Sequence, residues 1–214
     1  MNLFAKIDAT QTVISGIVND YDYFKEHVNK VVLQAPCLTP DPSLTSWYSG
    51  ELKEFLKTEE IYELGGPTWY KSAGKIANKL GLKTYRNMVI NSLGGPYQGW
   101  SSKLLDHFAQ LGQSQRFQKY APDYWSTADG VETELYDLSV IEDIPVGYFM
   151  ANGDEYCTQD QAGRSSSEMP AAVGAYKIYN ATSFNEFFIY NKDDMVNDML
   201  AFLDDTPKEL PLLQ

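Results

Sequence analysis

Apolar residues recur at helical spacing near the start of the chain and then give way to a short, continuous apolar run. Over residues 10–28 they follow one face of a 3.6-residue period, which predicts a helix. Residues 30–35 are largely β-branched and apolar, and the run stops at Pro36. Such a run is typical of a strand buried in a parallel sheet. The sequence therefore predicts a helix followed by a buried strand.

The pattern changes between residues 38 and 125, where Pro and Gly interrupt short amphipathic stretches. Helical patches are predicted at 51–60, 71–80 and 102–111, and Gly112 is expected to end the last of them. The stripe that supports this last helix consists of Leu104, Leu105, Phe108 and Leu111. This region is interpreted as a mostly helical insertion.

The alternation of strands and helices returns after the insertion. Residues 145–151 are predicted to be a second buried strand, residues 175–179 a third strand, and residues 194–203 an amphipathic helix. The predicted organisation is a core helix and strand (1–37), a helical cap (38–125), a C-terminal core (126–205) and a tail (206–214). Helices alternating with strands indicate an α/β fold, and three strands are fewer than a complete doubly wound sheet has.

Charge and cysteine content exclude several kinds of function. The net charge is −12, and no cluster of Lys and Arg is available to bind phosphates, which excludes nucleic acid and disfavours anionic membranes. No signal peptide and no membrane-spanning apolar run is recognisable. Cys37 and Cys157 lack the spacing of a zinc site and are expected to be inert thiols. No metal and no cofactor is expected.

Several stretches resemble, in the same order, segments of the acid lipase family, which comprises gastric and lysosomal lipases and their relatives in protists and plants. The stretches are DYFKEHV (22–28), VVLQAP (31–36), DHFAQ (106–110), SQRF (114–117), YDLS (136–139), IPV (144–146), NGD (152–154) and FIY (188–190) followed by Asp193. Gln115 stands where the family usually has Gly. The resemblance extends over nearly the whole chain.

This resemblance implies a partial α/β-hydrolase fold, namely the C-terminal part of the parallel sheet with a mostly helical cap. The family hydrolyses carboxylic esters of lipids with a Ser-His-Asp triad and needs no cofactor. The Ser lies in a Gly-x-Ser-x-Gly elbow between a strand and a helix, and the acid and the His follow in that order. Family members are often secreted or lysosomal, but the sequence leaves the compartment of this chain open.

The resemblance transfers one triad residue to this chain. Asp154 matches the acid, and the alternative is that Asn152-Gly153-Asp154 is simply a turn. The position of the His falls on Asn185, or on Glu186 after a shift of one residue. Neither side chain can take and return a proton near neutral pH as imidazole does. Asp154 is therefore expected to be a vestige of the triad.

The nucleophile is not recognisable either. The elbow is expected just before Thr10, where residues 4–8 read Phe-Ala-Lys-Ile-Asp, and Gly-x-Ser-x-Gly occurs nowhere. We therefore expect that the strands before the elbow and the oxyanion loop are missing, and that the chain is truncated and inactive. The two histidines, His27 and His107, lie in stretches that are interpreted as structural.

Other hypotheses remain open at this stage. Ser92 follows the apolar residues 88–90 and could be the nucleophile of a weak esterase with a degenerate elbow. Cys37 or Cys157 could form a nucleophilic pair with a histidine that folding brings near. A pseudoenzyme could bind neutral lipid, a fatty acid or a partner protein. A half sheet also exposes a strand edge, which predicts poor solubility or pairing with another chain.

Overall fold

The computed structural model describes residues 1–46, 48–61, 63–65, 99–127, 130–155, 157–181 and 192–204. The chain divides into two compact units. The first, which we call the sheet unit, contains Met1–Asp41, Gln115–Lys119 and Glu134–Gln214. The second, the helical unit, contains Pro42–Ser114 and Tyr120–Thr133.

Six strands and seven α-helices lie within the described residues. In chain order they are β1 (Asn2–Lys6), α1 (Ala9–Asn19), α2 (Tyr21–His27), β2 (Lys30–Gln34), α3 (Pro42–Thr45), α4 (Gly50–Thr58), β3 (Glu63–Gly65), β4 (Gly99–Ser101), α5 (Ser102–Ser114), β5 (Val146–Ala151), α6 (Gln159–Ser167), β6 (Val173–Tyr179) and α7 (Lys192–Leu203). Short 3-10 helices lie at Tyr124–Ser126 and Leu138–Val140. Among these residues no helix has both the length and the apolar character needed to cross a membrane.

The sheet unit is built on a four-stranded parallel sheet in the order β1-β2-β5-β6. β2 and β5 are the central strands, and all six residues of β5 are buried. The predictions of an α/β fold, of buried strands at 30–35 and 145–151, and of a third strand at 175–179 are confirmed. The insertion between β2 and β5 contains the helical unit.

Three details differ from the sequence prediction. β1 is an additional strand, because residues 2–6 pair in parallel with β2. The helix expected over 10–28 is two helices, since the backbone leaves helical geometry at Asp20, where φ is −143° and ψ is 59°. Gly112 does not end a helix but lies within α5, where an added Cβ would come 2.3 Å from Thr45 Oγ1. Gly112 therefore lets Thr45 pack closely against α5 and does not end the helix.

One face of the sheet carries α7. The core on this side consists of Val32, Ala35, Phe149, Ala151, Ala175, Tyr179, Met195 and Met199. Phe202 of α7 lies edge-on to Phe149, with ring centroids 6.3 Å apart. A Cβ on Gly147 would come 3.0 Å from the Phe202 ring, so this glycine makes room for the helix to approach the sheet.

The opposite face is covered by α1 and α6. Ile14 and Ile17 of α1 are completely buried. Tyr148 of β5 is also buried, and its hydroxyl group lies 3.3 Å from Ser165 Oγ of α6. Burial raises the pKa of the Tyr148 hydroxyl, so the group stays protonated and available for hydrogen bonding.

The helical unit is organised around the buried carboxylate of Asp106. Its Oδ1 accepts hydrogen bonds from Trp125 Nε1 at 2.7 Å and from Gln110 Nε2 at 3.1 Å. Its Oδ2 accepts one from the Tyr120 hydroxyl at 2.7 Å and lies 3.2 Å from Lys53 Nζ. A buried carboxylate is tolerated when its lone pairs are satisfied in this way. Asp106 therefore has a structural role in the helical unit.

Candidate functional site

The turn between β1 and α1 has the shape of a nucleophile elbow. The strand ends at Lys6, the next residue has a positive φ, and α1 begins two residues later at Ala9. The residue in the turn is Ile7, with φ of 53°. A sharp strand-to-helix turn of this kind is where hydrolases of the α/β class hold their catalytic Ser. Here the central position carries a side chain with no nucleophilic atom.

Ile7 is an unusual residue for this conformation. A β-branched side chain at positive φ clashes with its own backbone, at a cost of order 1–2 kcal/mol. The side chain is half-buried and packs against the core beneath α7. The elbow therefore keeps its backbone geometry although Ile7 neither favours a positive φ nor carries a reactive group.

Hydrogen bonds from the start of α1 hold the elbow and the loop after β2 together. The Thr10 hydroxyl donates to the Ile7 carbonyl and accepts from the Cys37 N–H at 3.0 Å. Gln11 Nε2 donates to the Cys37 carbonyl at 2.7 Å. Thr10 and Gln11 are both buried, so their polar groups have no access to water and need these hydrogen bonds. Thr10 and Gln11 therefore join the elbow to the loop after β2 at the carboxyl end of the sheet.

A disulfide links two of the loops at this edge. Cys37 follows β2 and Cys157 follows β5, and the bond brings their Cα atoms to 5.0 Å. The expectation of inert free thiols is therefore wrong, and so is the hypothesis of a nucleophilic cysteine, because neither sulfur is a thiolate. The spacing of 120 residues carries no signal in the sequence, and the pairing arises only because β2 and β5 are neighbours.

Asp154 lies at the carboxyl end of β5, at the edge where open α/β sheets carry their ligand chemistry. Its side chain is half-buried, and its Oδ1 accepts a hydrogen bond from the Cys157 N–H at 3.1 Å. Asp154 thus shapes the turn that positions Cys157. Its assignment as triad acid stays a prediction.

Lys6 and Asp8 flank Ile7 and both have altered acidity. Burial lowers the pKa of Lys6, and the nearby charge of Asp154 opposes this effect. Burial likewise raises the pKa of Asp8, against backbone N–H groups at Asp8 and Ala9 that favour its ionised form. Lys6 and Asp8 thus lie on either side of the uncharged Ile7, and Asp154 is close enough to Lys6 for its charge to act on it. Shifted acidity of this kind often accompanies functional sites.

Of the other candidate residues, His27 belongs to the sheet unit and His107 to the helical unit. Ser92, Asn185 and Glu186 lie outside the described residues. His27 lies at the other end of the strands, near the start of β1, since its carbonyl accepts a hydrogen bond from the amino group of Met1 at 2.7 Å. The His27 ring stacks on Tyr23, and His107 of α5 contacts the Tyr120 ring edge-on. Within the described ranges, no three His, Cys, Asp or Glu side chains are arranged to hold a metal ion.

The sheet unit also contains a small cavity of about 120 Å³ between the loop after β2 and α6. Its polar wall includes Arg164, whose Nη2 donates to Gln115 Oε1 at 2.6 Å, and Glu168, whose pKa is raised by burial. Leu38, Phe117 and Leu138 form part of the apolar wall.

No family model matches the chain, and no curated protein matches it in sequence. Among solved structures, the chain is similar to an alanine-to-valine variant of a meta-cleavage product hydrolase, with a TM-score of 0.44 and 8% identity. The similarity covers 96% of this chain and 65% of that one, so the chain spans less than two thirds of the length of that enzyme. An identity this low carries no information about activity.

The order of elements in the chain itself defines the class. A strand, an elbow, a helix, a strand, a helical insertion, a strand with an acidic turn, a helix, a strand and a final helix follow one another around a parallel sheet. This is a partial α/β-hydrolase fold. The elbow could have been found in the sequence from Ala5-Lys6-Ile7-Asp8-Ala9, in which two small residues flank the centre at the positions of the two glycines.

Proposed function

We propose that this chain is a non-hydrolytic relative of the acid lipases that works by binding rather than by cleaving esters. The observation that supports this proposal is Ile7 at the centre of the elbow. Acyl transfer in this class begins with attack by a side-chain oxygen from that position. An aliphatic side chain has no lone pair to attack with, and no neighbouring base can activate it.

The other parts of the triad agree with this proposal. In the register of the acid lipases, Asp154 takes the place of the acid, and its Oδ1 accepts a hydrogen bond from the Cys157 N–H. In the register of the acid lipases, Asn185 takes the place of the His. In the triad the carboxylate orients and stabilises the His, which is the group that takes the proton, so Asp154 without a His does not supply the base of that mechanism.

The resemblance to the acid lipases supports neutral lipid or fatty acid as the class of ligand. The cavity in the sheet unit does not add to that support, since about 120 Å³ is well below the roughly 300 Å³ at which ligand pockets begin. Titration of the purified chain with a fluorescent fatty acid tests the ligand class. Saturable binding would support it, and the lack of any binding would leave a protein partner as the ligand.

The test of the proposal is hydrolysis of short- and long-chain p-nitrophenyl esters by the purified chain. We expect wild type to show no more turnover than Asp154→Asn and Ser92→Ala, prepared in parallel to account for contaminating esterases. Labelling by a fluorophosphonate probe, which reacts with activated serines, is expected to be at background. Turnover that is lost in either variant would overturn the proposal. Loss in Ser92→Ala would support the alternative of a weak esterase with an unusual nucleophile.

A further inference from the structure

The sequence contains one Asn-x-Ser/Thr triplet, which is the acceptor pattern for N-linked glycosylation in secreted proteins. It consists of Asn180, Ala181 and Thr182. Triplets of this kind arise often by chance. One of them is a modification site only if the folded chain exposes the Asn side chain and the chain matures in a compartment that supplies the sugar.

Asn180 lies at the surface of the sheet unit. It is the first residue after β6, and it is exposed. Backbone hydrogen bonds join the chain on both sides of it to the turn after β5. The Asn152 N–H donates to the Tyr179 carbonyl at 2.9 Å. The next N–H of that turn, at Gly153, donates to the carbonyl of the residue after Asn180, also at 2.9 Å. The first condition, an exposed Asn in a defined loop, is therefore met.

The side-chain amide of Asn180 turns its nitrogen atom away from this neighbouring turn. Asn152 Oδ1 accepts a hydrogen bond from the Ala181 N–H at 3.1 Å. Because a backbone N–H can only donate, this contact identifies which end of the Asn152 amide is the oxygen. The Asn152 Nδ2 atom then donates to Asn180 Oδ1 at 3.1 Å. A sugar on the Asn180 nitrogen leaves that acceptor oxygen in place, so glycosylation keeps the hydrogen bond between the two side chains.

The disulfide between Cys37 and Cys157 supports the second condition. Its formation takes two electrons from the two thiols, so it needs an oxidant. Disulfides form and persist in secretory and extracellular compartments and are rare in the cytosol. The disulfide depends on the adjacency of β2 and β5, whereas the triplet follows β6. These two independent features indicate the same kind of compartment.

We infer that Asn180 carries an N-linked glycan, transferred from an oligosaccharide that is joined to a lipid through diphosphate. In this transfer the Asn180 Nδ2 atom attacks C1 of the first sugar. The bond between C1 and the diphosphate oxygen breaks, a bond between Nδ2 and C1 forms, Nδ2 gives up one proton, and the lipid diphosphate leaves with the electron pair. The product is a bulky, solubilising group beside the turn that carries Asp154. This inference goes beyond the proposed function and does not depend on it.

Mass spectrometry of the full chain isolated from the cells that make it tests the inference. Trypsin cleaves after Lys177 and Lys192, and the peptide between them, residues 178–192, contains the triplet. We expect this peptide to carry an oligosaccharide. Release of the oligosaccharide by a peptide-N-glycosidase in heavy-oxygen water is expected to convert Asn180 to an aspartate that contains the heavy isotope. Recovery of the peptide in unmodified form only would overturn the inference.

Three variants of the full chain, produced in the same cells, assign the glycan to this triplet. Asn180→Gln and Thr182→Ala are each expected to lose the shift in gel mobility that the glycosidase produces in wild type. The first removes the acceptor side chain, and the second removes the hydroxyl group that the triplet requires. Thr182→Ser keeps a hydroxyl group and is the matched control, which retains the shift. A shift that persists in Asn180→Gln or Thr182→Ala, or that disappears in Thr182→Ser, would contradict the assignment.

The state of the cysteines provides a separate check on the compartment. Thiols are blocked before the cells are lysed, and the chain is then digested without reductant. We expect the peptides that contain Cys37 and Cys157 to be recovered joined to each other. Blocked free thiols at both positions would overturn the inference, because the chain would then mature in a reducing compartment. Ester hydrolysis is measured independently, so failure here leaves the proposed function unaffected.

Discussion

Cys37 and Cys157 are joined by a disulfide that connects the carboxyl ends of the two central strands, β2 and β5. The bond lies at the edge of the sheet that carries Ile7 and Asp154. The two cysteines are 120 positions apart in the sequence, and the whole helical unit lies between them. The disulfide therefore connects parts of the sheet unit that the insertion separates in sequence.

Reduction of this disulfide is expected to lower the free energy of unfolding by about 2–5 kcal/mol, because the unfolded chain regains the freedom of a long loop. Urea unfolding with and without reductant measures the loss. The double variant Cys37→Ala, Cys157→Ala provides the control and should behave like reduced wild type in both conditions. Equal stability of oxidised and reduced wild type would contradict the linkage.

Gly147 and Gly163 offer a matched pair of substitutions to alanine. At Gly147 a Cβ would approach Phe149 to 2.8 Å and Phe202 to 3.0 Å, so Gly147→Ala is expected to cost about 1–3 kcal/mol. At Gly163 in α6 no atom lies within 4 Å of the added Cβ. Gly163→Ala is expected to stabilise the chain by about 0.5–1 kcal/mol, because alanine loses less entropy in a helix. Thermal melts that rank the two variants the other way round would refute the packing described for α7.

Asp106→Ala is expected to destabilise the helical unit by about 3–5 kcal/mol. The substitution leaves the donors of Tyr120 and Trp125, together with the charge of Lys53, without their shared acceptor. Glu134→Ala is the control, because its ion pair with Lys119 is exposed and is expected to contribute at most about 1 kcal/mol. Chemical denaturation followed by tryptophan fluorescence measures both. Similar losses in the two variants would mean that the Asp106 cluster is no more important than a surface pair.

Asp8→Asn is expected to stabilise the chain near neutral pH. Burial raises the pKa of Asp8 above its ordinary value of 3.8, so folding favours the protonated form. Its contribution is fully present below pH 3.8 and is lost as the pH rises through the folded-state pKa. The variant should therefore gain stability over wild type as the pH rises. Solvent reaches part of the side chain, and screening limits the gain to less than about 1 kcal/mol.

Urea unfolding of Asp8→Asn at several pH values is compared with that of Asp22→Asn, which removes the same charge from an exposed site in the first turn of α2. A loss of stability in Asp8→Asn at neutral pH would show that the N-terminal dipole of α1, which favours an anion, outweighs burial.

The sequence predicts the strands in which nearly every residue is buried and therefore apolar. β5 and β2 are recognisable because their apolar runs leave no room for another interpretation. β1 escapes the same reasoning because it is an edge strand, in which the exposed Phe4 and the half-buried Lys6 interrupt the apolar pattern. β1 is held to β2 by backbone hydrogen bonds, and these leave no pattern in the side chains of the sequence.

The site depends still more on geometry that the sequence does not encode locally. Ile7 adopts a positive φ that its type disfavours, so its own conformational preference points away from the elbow, and the sequence indicates the turn only through Ala5 and Ala9 at the positions of the two glycines. The disulfide depends on the adjacency of β2 and β5, which only the folded sheet supplies. Asp154 could be predicted, because its turn follows a buried strand, but the hydrogen bond to Cys157 could not.

The position of the disulfide has a consequence for processing of the chain. A protease that cuts one peptide bond anywhere between Cys37 and Cys157 produces two fragments that remain one covalent molecule. The nicked protein would migrate as two pieces on a reducing gel and as a single species without reductant. The helical unit lies wholly inside this interval, so its loops can be cleaved without separating β2 from β5.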